Sequence, residues 1–146
     1  MTLKSYSHVL WATDLSENSE LIGARARDVA QRYGAKLSAI HAVAYMPPFE
    51  FGGELALPPY REIEEQIVEQ ARKRLGKFAI DFSIPADKSH VVTGSARYEI
   101  VRFAKENAVD LIIVGRHSRR GLGLLLGSTA NGVLHSATCD VLAILI

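Results

Sequence analysis

Cysteine is nearly absent: Cys139 is the single one in 146 residues. One cysteine cannot close an intramolecular disulfide, so secreted disulfide scaffolds and cysteine-rich zinc modules are excluded together. Metal-ligand spacing is missing as well, because His8, His41, His90, His117 and His135 show no regular interval and no accompanying cysteine pair. An excess of one charge is also lacking. Seventeen Lys and Arg stand against sixteen Asp and Glu, a formal net charge of +1, so no global field draws the chain to nucleic acid or to a membrane surface. No stretch approaches the roughly 18–20 apolar residues that a membrane helix requires, and no long apolar run follows Lys4 as a signal peptide would demand. These absences predict a chain of the reducing cytoplasm, with neither membrane nor nucleic acid as partner and no metal site.

The residues that are present describe an ordinary globular composition. A hydrophobic fraction of 48% and a charged fraction of 23% sit near the globular averages and exclude disordered, collagen-like and coiled-coil chains. A length of 146 residues predicts one domain over 1–146 with a core large enough to need no staple.

Apolar runs and helical patterns alternate from end to end. Strands are predicted at residues 9–13, 36–43, 90–93, 110–114 and 141–146. Ile22, Ala26, Val29, Ala30 and Tyr33 fall on one face of a first helix that follows the cap-rich Asp14-Leu15-Ser16-Glu17-Asn18-Ser19 and stops at Gly34. A long second helix is predicted from Arg61 to the stop at Pro85, its apolar stripe running through Ile63, Ile67, Ala71, Leu75, Phe78 and Phe82. Ser95 can cap a third helix, and a fourth carries Ala130, Val133, Leu134 and Ala137 inward. Residues 45–60 read as an irregular surface loop whose Phe49, Phe51, Leu55 and Leu57 either lid a crevice or cover the neighbouring helix. Strict alternation of five strands with four helices predicts an α/β fold, a parallel sheet with helices on both faces. In such sheets ligands bind beyond the carboxyl ends of the strands, where the strand order reverses.

Three strand ends carry unusual residues: Ala12-Thr13-Asp14, Thr93-Gly94-Ser95, and the segment from Gly115 to Thr129. The last places Arg116, Arg119 and Arg120 with Gly121, Gly123 and Gly127 ahead of Ser128 and Thr129. Glycines admit an anion close to backbone N–H groups, and a following helix adds its partial positive charge, so the segment reads either as a phosphate cradle or as a tight connection. A Walker loop is excluded by the lack of a Lys before Ser or Thr, and dinucleotide binding by the lack of G-x-G-x-x-G after the first strand. No carboxylate pair, Cys–His arrangement or Lys beside the loop supplies a catalytic group, which predicts a non-enzyme with no catalytic residues. Asp14 reads either as a ligand-facing acid or as a helix-capping one.

Ala12-Thr13-Asp14-Leu15-Ser16, Thr93-Gly94, the run from Val109 to Gly115 and Cys139-Asp140-Val141-Leu142-Ala143-Ile144 together resemble the universal stress protein family over nearly the whole chain. The resemblance implies a five-stranded parallel sheet in order 3-2-1-4-5, the fold of the adenine nucleotide alpha hydrolases. It implies a homodimer joined through the last strand, with Val141 and Ile146 at its two ends, and ATP, with or without magnesium, bound through G-x2-G-x9-G-[ST]. Carried over, Gly115 matches the first glycine, and Gly127 with Ser128 the closing pair. Ser118 stands at the middle glycine, and residues 119–126 supply eight intervening positions instead of nine. The expected nucleotide site is then Ala12, Thr13, Asp14, Ala42, Gly94, Gly115, Arg116, Ser118, Gly127, Ser128 and Thr129. Leu122, Leu124, Leu125 and Leu126 are expected to help bury the partner subunit. The function implied is a non-catalytic, nucleotide-binding regulator of the stress response. The alternative is a member that binds no nucleotide and works as a protein-interaction or phosphorylation-dependent module for a partner protein still to be found.

Overall fold

The computed structural model describes residues 2–44, 57–116 and 127–145, with the backbone alone over 57–60. The segments 45–56 and 117–126, and with them the expectations placed on Phe49, Phe51, Leu55, His117, Ser118, Arg119, Arg120 and the four leucines from Leu122 to Leu126, lie outside the described residues, as does Ile146.

Strands β1 (His8–Ala12), β2 (Lys36–Val43), β3 (Ser89–Thr93), β4 (Leu111–Arg116) and β5 (Asp140–Leu145) alternate with helices α1 (Ser19–Tyr33), α2 (Leu57–Asp81), α3 (Ala96–Glu106) and α4 (Ser128–Ser136). A single 3-10 turn, Ala86–Lys88, precedes β3. All four strand pairings are parallel, in the order β3-β2-β1-β4-β5. That is the order expected, and it reverses between β1 and β4.

Side chains alternate across the sheet and fill two separate cores. Val9 and Trp11 of β1 join Leu111 and Ile113 of β4 in the layer beneath α1 and α2, where Leu75 and Phe82 pack. Leu10 and Ala12 join Ile112 and Val114 in the layer beneath α3 and α4, with Ile100 and Val133. Burial on both faces explains why the central strands read as unbroken apolar runs. Trp11 meets Phe78 and Phe82 edge-on, each at 5.8 Å between ring centroids.

Several boundaries differ from the sequence reading for local reasons. Helix α2 begins at Leu57, four residues before Arg61, since Pro58 and Pro59 lie in a first turn whose N–H groups have no helical acceptor. Strand β1 starts at His8 and ends at Ala12, and β4 continues through Gly115 to Arg116, paired with Ile144 and Leu145. Gly34 closes α1 in the left-handed region, as expected, donating to the carbonyls of Ala30 and Gln31. Neither Asn18 nor Ser95 makes the side-chain cap its type permits.

Leu134 was expected inward but is 40% exposed, because it stands one helical step off the row of Ala130, Val133 and Ala137. Tyr33 is half-exposed and meets the ring of Tyr6 edge-on at 4.9 Å.

Helix α2 departs most from expectation. Its stripe is buried at Ala71, Leu75, Ala79 and Phe82, whereas Ile63 is 48% exposed and Ile67 40%. At 1.5 Å per residue a 25-residue helix is about 37 Å long, against about 26 Å for the eight residues of β2. The first turns of α2 therefore overhang the carboxyl end of the sheet.

Candidate functional site: the carboxyl end of the sheet

The chain leaves β1 through a turn that fixes three of the predicted residues. Thr13 N–H donates to the Ile40 carbonyl at 3.0 Å, and its own carbonyl accepts from His41 Nδ1 at 2.9 Å. Its hydroxyl donates to Ser19 Oγ at 3.0 Å and accepts the Leu15 N–H, also at 3.0 Å. Every polar group of Thr13 is thus committed within the protein, and Ala12 is buried in the core. Both shape the site from behind.

Asp14 is exposed at the strand end. Its Oδ1 accepts from Ser16 N–H at 2.9 Å and from Ser19 Oγ at 3.5 Å. The carboxylate folds the turn ahead of α1, whose N-cap position is Asn18. Leu15 takes φ 57 in this turn, a left-handed conformation that the two side-chain acceptors hold in place.

On β2, Ala42 lies two residues past Ile40, the partner of Ala12, and so reaches the level of Asp14. Gly94 lies farther off, beyond β3 at the sheet edge, with φ 145 and an N–H donating to the Val43 carbonyl at 2.8 Å. An added Cβ there would meet Glu99 at 3.2 Å. Backbone geometry alone accounts for this glycine, two strands from the β1–β4 reversal.

Gly115 and Arg116 end β4. Arg116 is half-buried, and its Nε is enclosed with no hydrogen-bond partner among the described residues. Helix α4 begins with Gly127 at the N-cap and, among the described residues, no side-chain cap. The first helical bond runs from Asn131 N–H to the Gly127 carbonyl at 2.9 Å, so the N–H groups of Ser128, Thr129 and Ala130 stand before it. Ser128 and Thr129 are exposed. A guanidinium and a helix start are both donor groups, and both stand at the carboxyl end of the sheet.

The sequence model of the universal stress protein family matches residues 5–144. The chain belongs to that family. A relative in Coxiella burnetii, universal stress protein A homolog 1, is 38% identical over 139 residues, covering 95% of this chain and 96% of its own. Among solved structures, a universal stress protein in complex with cAMP aligns with a TM-score of 0.59 at 27% identity, over 97% of this chain and 98% of that one. The universal stress protein of Archaeoglobus fulgidus in complex with dAMP aligns with a TM-score of 0.63 at 20% identity, over 97% and 99%.

Within this universal stress protein, the fold brings Asp14, Ala42, Arg116 and the start of α4 to one end of the sheet. It leaves Gly94 at the margin. Cys139 is half-buried; burial first, then the charges of Asp140 and Asp110, push its thiol up, so it stays protonated at neutral pH. Among the described residues, no three His, Cys, Asp or Glu side chains gather to hold a metal ion, and no helix is long and apolar enough to cross a membrane.

The sequence reading missed the overhang of α2. Its Ile63, Gln66, Ile67 and Gln70, with Arg74 a turn deeper, face Asp14, Leu15 and His41 across a groove of about 380 Å³. The signal was in the lengths: a helical pattern longer than any strand must leave part of its apolar stripe beyond the sheet.

Proposed function

We propose that this protein binds an adenine nucleotide at the carboxyl end of its sheet and acts in the cytoplasm as a non-catalytic regulator of the stress response. One observation carries the reading: the enclosed Nε of Arg116 has no partner among the described residues, at the same end of the sheet as the start of α4. A guanidinium edge withdrawn from water without a partner is costly, and a bound phosphate removes the cost. Arg116, the N–H groups opening α4, and the hydroxyls of Ser128 and Thr129 hold the phosphates in this reading. Asp14 and Ala42 lie towards the sugar and base. The cAMP and dAMP complexes of related proteins support the adenine class.

Calorimetry with Mg-ATP tests it. Gly127 has φ −57, and an added Cβ meets no described atom within 4 Å, so Gly127→Val obstructs a ligand without disturbing the fold. The wild type binds and Gly127→Val does not. Mass analysis of small molecules released on denaturing the purified protein identifies the nucleotide. No heat and no thermal shift at millimolar ATP would favour the second reading, a protein-interaction or phosphorylation-dependent module, to which Ser118 and the eight-residue spacer already point. No steady phosphate release is expected; a rate that vanished on Asp14→Ala would make the protein an enzyme.

The same proposal includes a homodimer through β5. This strand pairs only with β4 among the described residues, and Leu142 and Leu145 are 38% and 60% exposed on it. An apolar strand with a free edge is a template for a second copy. Sedimentation of Leu142→Asp, Leu145→Asp as a monomer beside a dimeric wild type is the expected result.

A further inference from the structure

The groove beneath the α2 overhang has the form of a selective pocket. Its volume of about 380 Å³ lies within the range of small-molecule sites, roughly 300–1,000 Å³, in which apolar walls carry a few placed polar groups. Ile63 and Ile67 form the apolar wall, one turn apart on the helix. Gln66 and Gln70 stand on the same stripe, also one turn apart, each with an amide that both donates and accepts. On the floor, His41 is held by the Thr13 carbonyl. A carbonyl only accepts, so Nδ1 carries a proton and Nε2 is the ring nitrogen left to face the groove.

Flat apolar contact combined with paired donors and acceptors is what a nucleobase requires. Gln amides complement an adenine edge, accepting from its amino group and donating to a ring nitrogen. Apolar side chains packing a base while polar groups read its edge is a general mode of nucleobase binding. The spacing agrees. Val114 of β4 and Ile40 of β2 both pair with Ala12, so the strand ends carrying Arg116 and His41 are separated by β1 alone, about 10 Å for two strand spacings. A nucleotide with its phosphates at Arg116 and the start of α4 extends across the end of β1 and delivers its base to this groove.

We infer that the overhang of α2 is the base-selecting wall of the site, with Gln66 and Gln70 reading the base edge and Ile63 and Ile67 packing its face. The inference rests on the nucleotide reading above and assigns base selectivity to α2. Ile63 and Ile67 are substantially exposed, so substitutions on this stripe leave the fold intact.

The experiment is calorimetry of the full chain with ATP, GTP, CTP and inorganic tripolyphosphate. It compares wild type with Gln66→Ala, Gln70→Ala and, separately, with Ile63→Ser, Ile67→Ser. Wild type prefers ATP over the other nucleotides by at least tenfold. The glutamine variant loses that preference, with ATP affinity falling at least fivefold. The isoleucine variant weakens all three nucleotides together. Tripolyphosphate binding stays the same in all proteins. If ATP binds wild type and both variants alike, the inference fails and the nucleotide reading stands; if wild type binds no nucleotide, both fail. A matching loss for tripolyphosphate would also overturn the inference, since the stripe would then act on the phosphate end or on the fold.

Discussion

The two ends of the sheet treat their polar groups in opposite ways. At the amino end, the Asp110 carboxylate accepts from Ser7 N–H and Ser7 Oγ, both at 2.8 Å, and from His8 N–H at 3.0 Å. The His8 ring joins the Asn107 carbonyl at 3.0 Å to Ser38 Oγ at 2.8 Å, and the Tyr6 hydroxyl donates to Asp140 at 2.7 Å. At the carboxyl end, Arg116 Nε and Ser16 Oγ are enclosed without a partner among the described residues, and α4 opens uncapped. Buried polar groups are normally paired, so the unpaired Arg116 Nε and Ser16 Oγ suit the ligand site proposed above, whereas the unpaired Trp11 Nε1 lies in the core. In the reading proposed above, stability is anchored where the strands begin and recognition is placed where they end.

The largest separation of the two is expected from Arg116→Ala. Removing the guanidinium lowers nucleotide affinity by at least tenfold, about 1.4 kcal/mol. The unfolding midpoint, read from the fluorescence of the buried Trp11, is unchanged or slightly higher, because an uncompensated buried donor has gone. An unfolding midpoint that fell with affinity would mean that Arg116 is structural, and the two ends would not differ as described.

Asp110→Ala is the converse. It removes three acceptor contacts that bind the start of β1 to the start of β4, and a loss of about 1–3 kcal/mol in denaturant unfolding is expected. Nucleotide affinity stays within twofold of wild type. Calorimetry at a temperature where both proteins are folded checks this, and a larger change would show the ends to be coupled.

The unequal character of the ends was only partly readable from residue order. Alternation of apolar runs with helical stripes sufficed for the parallel sheet, since each strand buried on both faces is continuous in sequence, as in Leu111-Ile112-Ile113-Val114. The strand order itself came from resemblance. Asp14 and Arg116 were singled out because ligands gather at strand ends, a rule of topology that needs no side-chain detail, whereas Ala42 came from resemblance. The remainder depended on distances that sequence does not encode. Thr13 is a ligand candidate by type, yet its hydroxyl is consumed by Ser19 and Leu15. Ile63 and Ile67 belong to the core by period, yet the sheet ends before it reaches them. The amino-end cluster of Ser7, His8, Ser38 and Asp110 joins residues up to 103 positions apart, beyond any local pattern.

Acid sharpens the contrast at Asp110. Burial pushes its carboxyl up, but the N–H groups of His8 and Ser7 and the Ser7 hydroxyl outweigh burial and hold it below its ordinary 3.8. A lowered folded value stabilises the protein fully above the ordinary range, and that contribution is lost as pH falls through the lowered value. The difference in unfolding midpoint between wild type and Asp110→Ala is therefore constant down to about pH 4 and closes below it. A gap that did not begin to narrow as the solution was acidified below the ordinary carboxyl range would place the stabilising contact elsewhere.

The smallest effect belongs to Tyr6, which ties the chain before β1 to the first residue of β5. Its phenol is pushed from 10.0 up to about 12, first by donating its hydrogen bond to Asp140, then by burial and by the charge of the same carboxylate. Here the neutral form is the one the fold prefers, so the stabilisation is complete below pH 10 and is lost as pH rises towards 12. The contact is partly open to solvent, and Tyr6→Phe costs less than about 1 kcal/mol at neutral pH. Spectrophotometric titration at 295 nm would show one tyrosine of the wild type ionising later than in the unfolded chain, and that late step missing from Tyr6→Phe. If both proteins titrate alike, the hydroxyl is not held by Asp140 in solution, and the amino end is anchored by Asp110 and His8 alone.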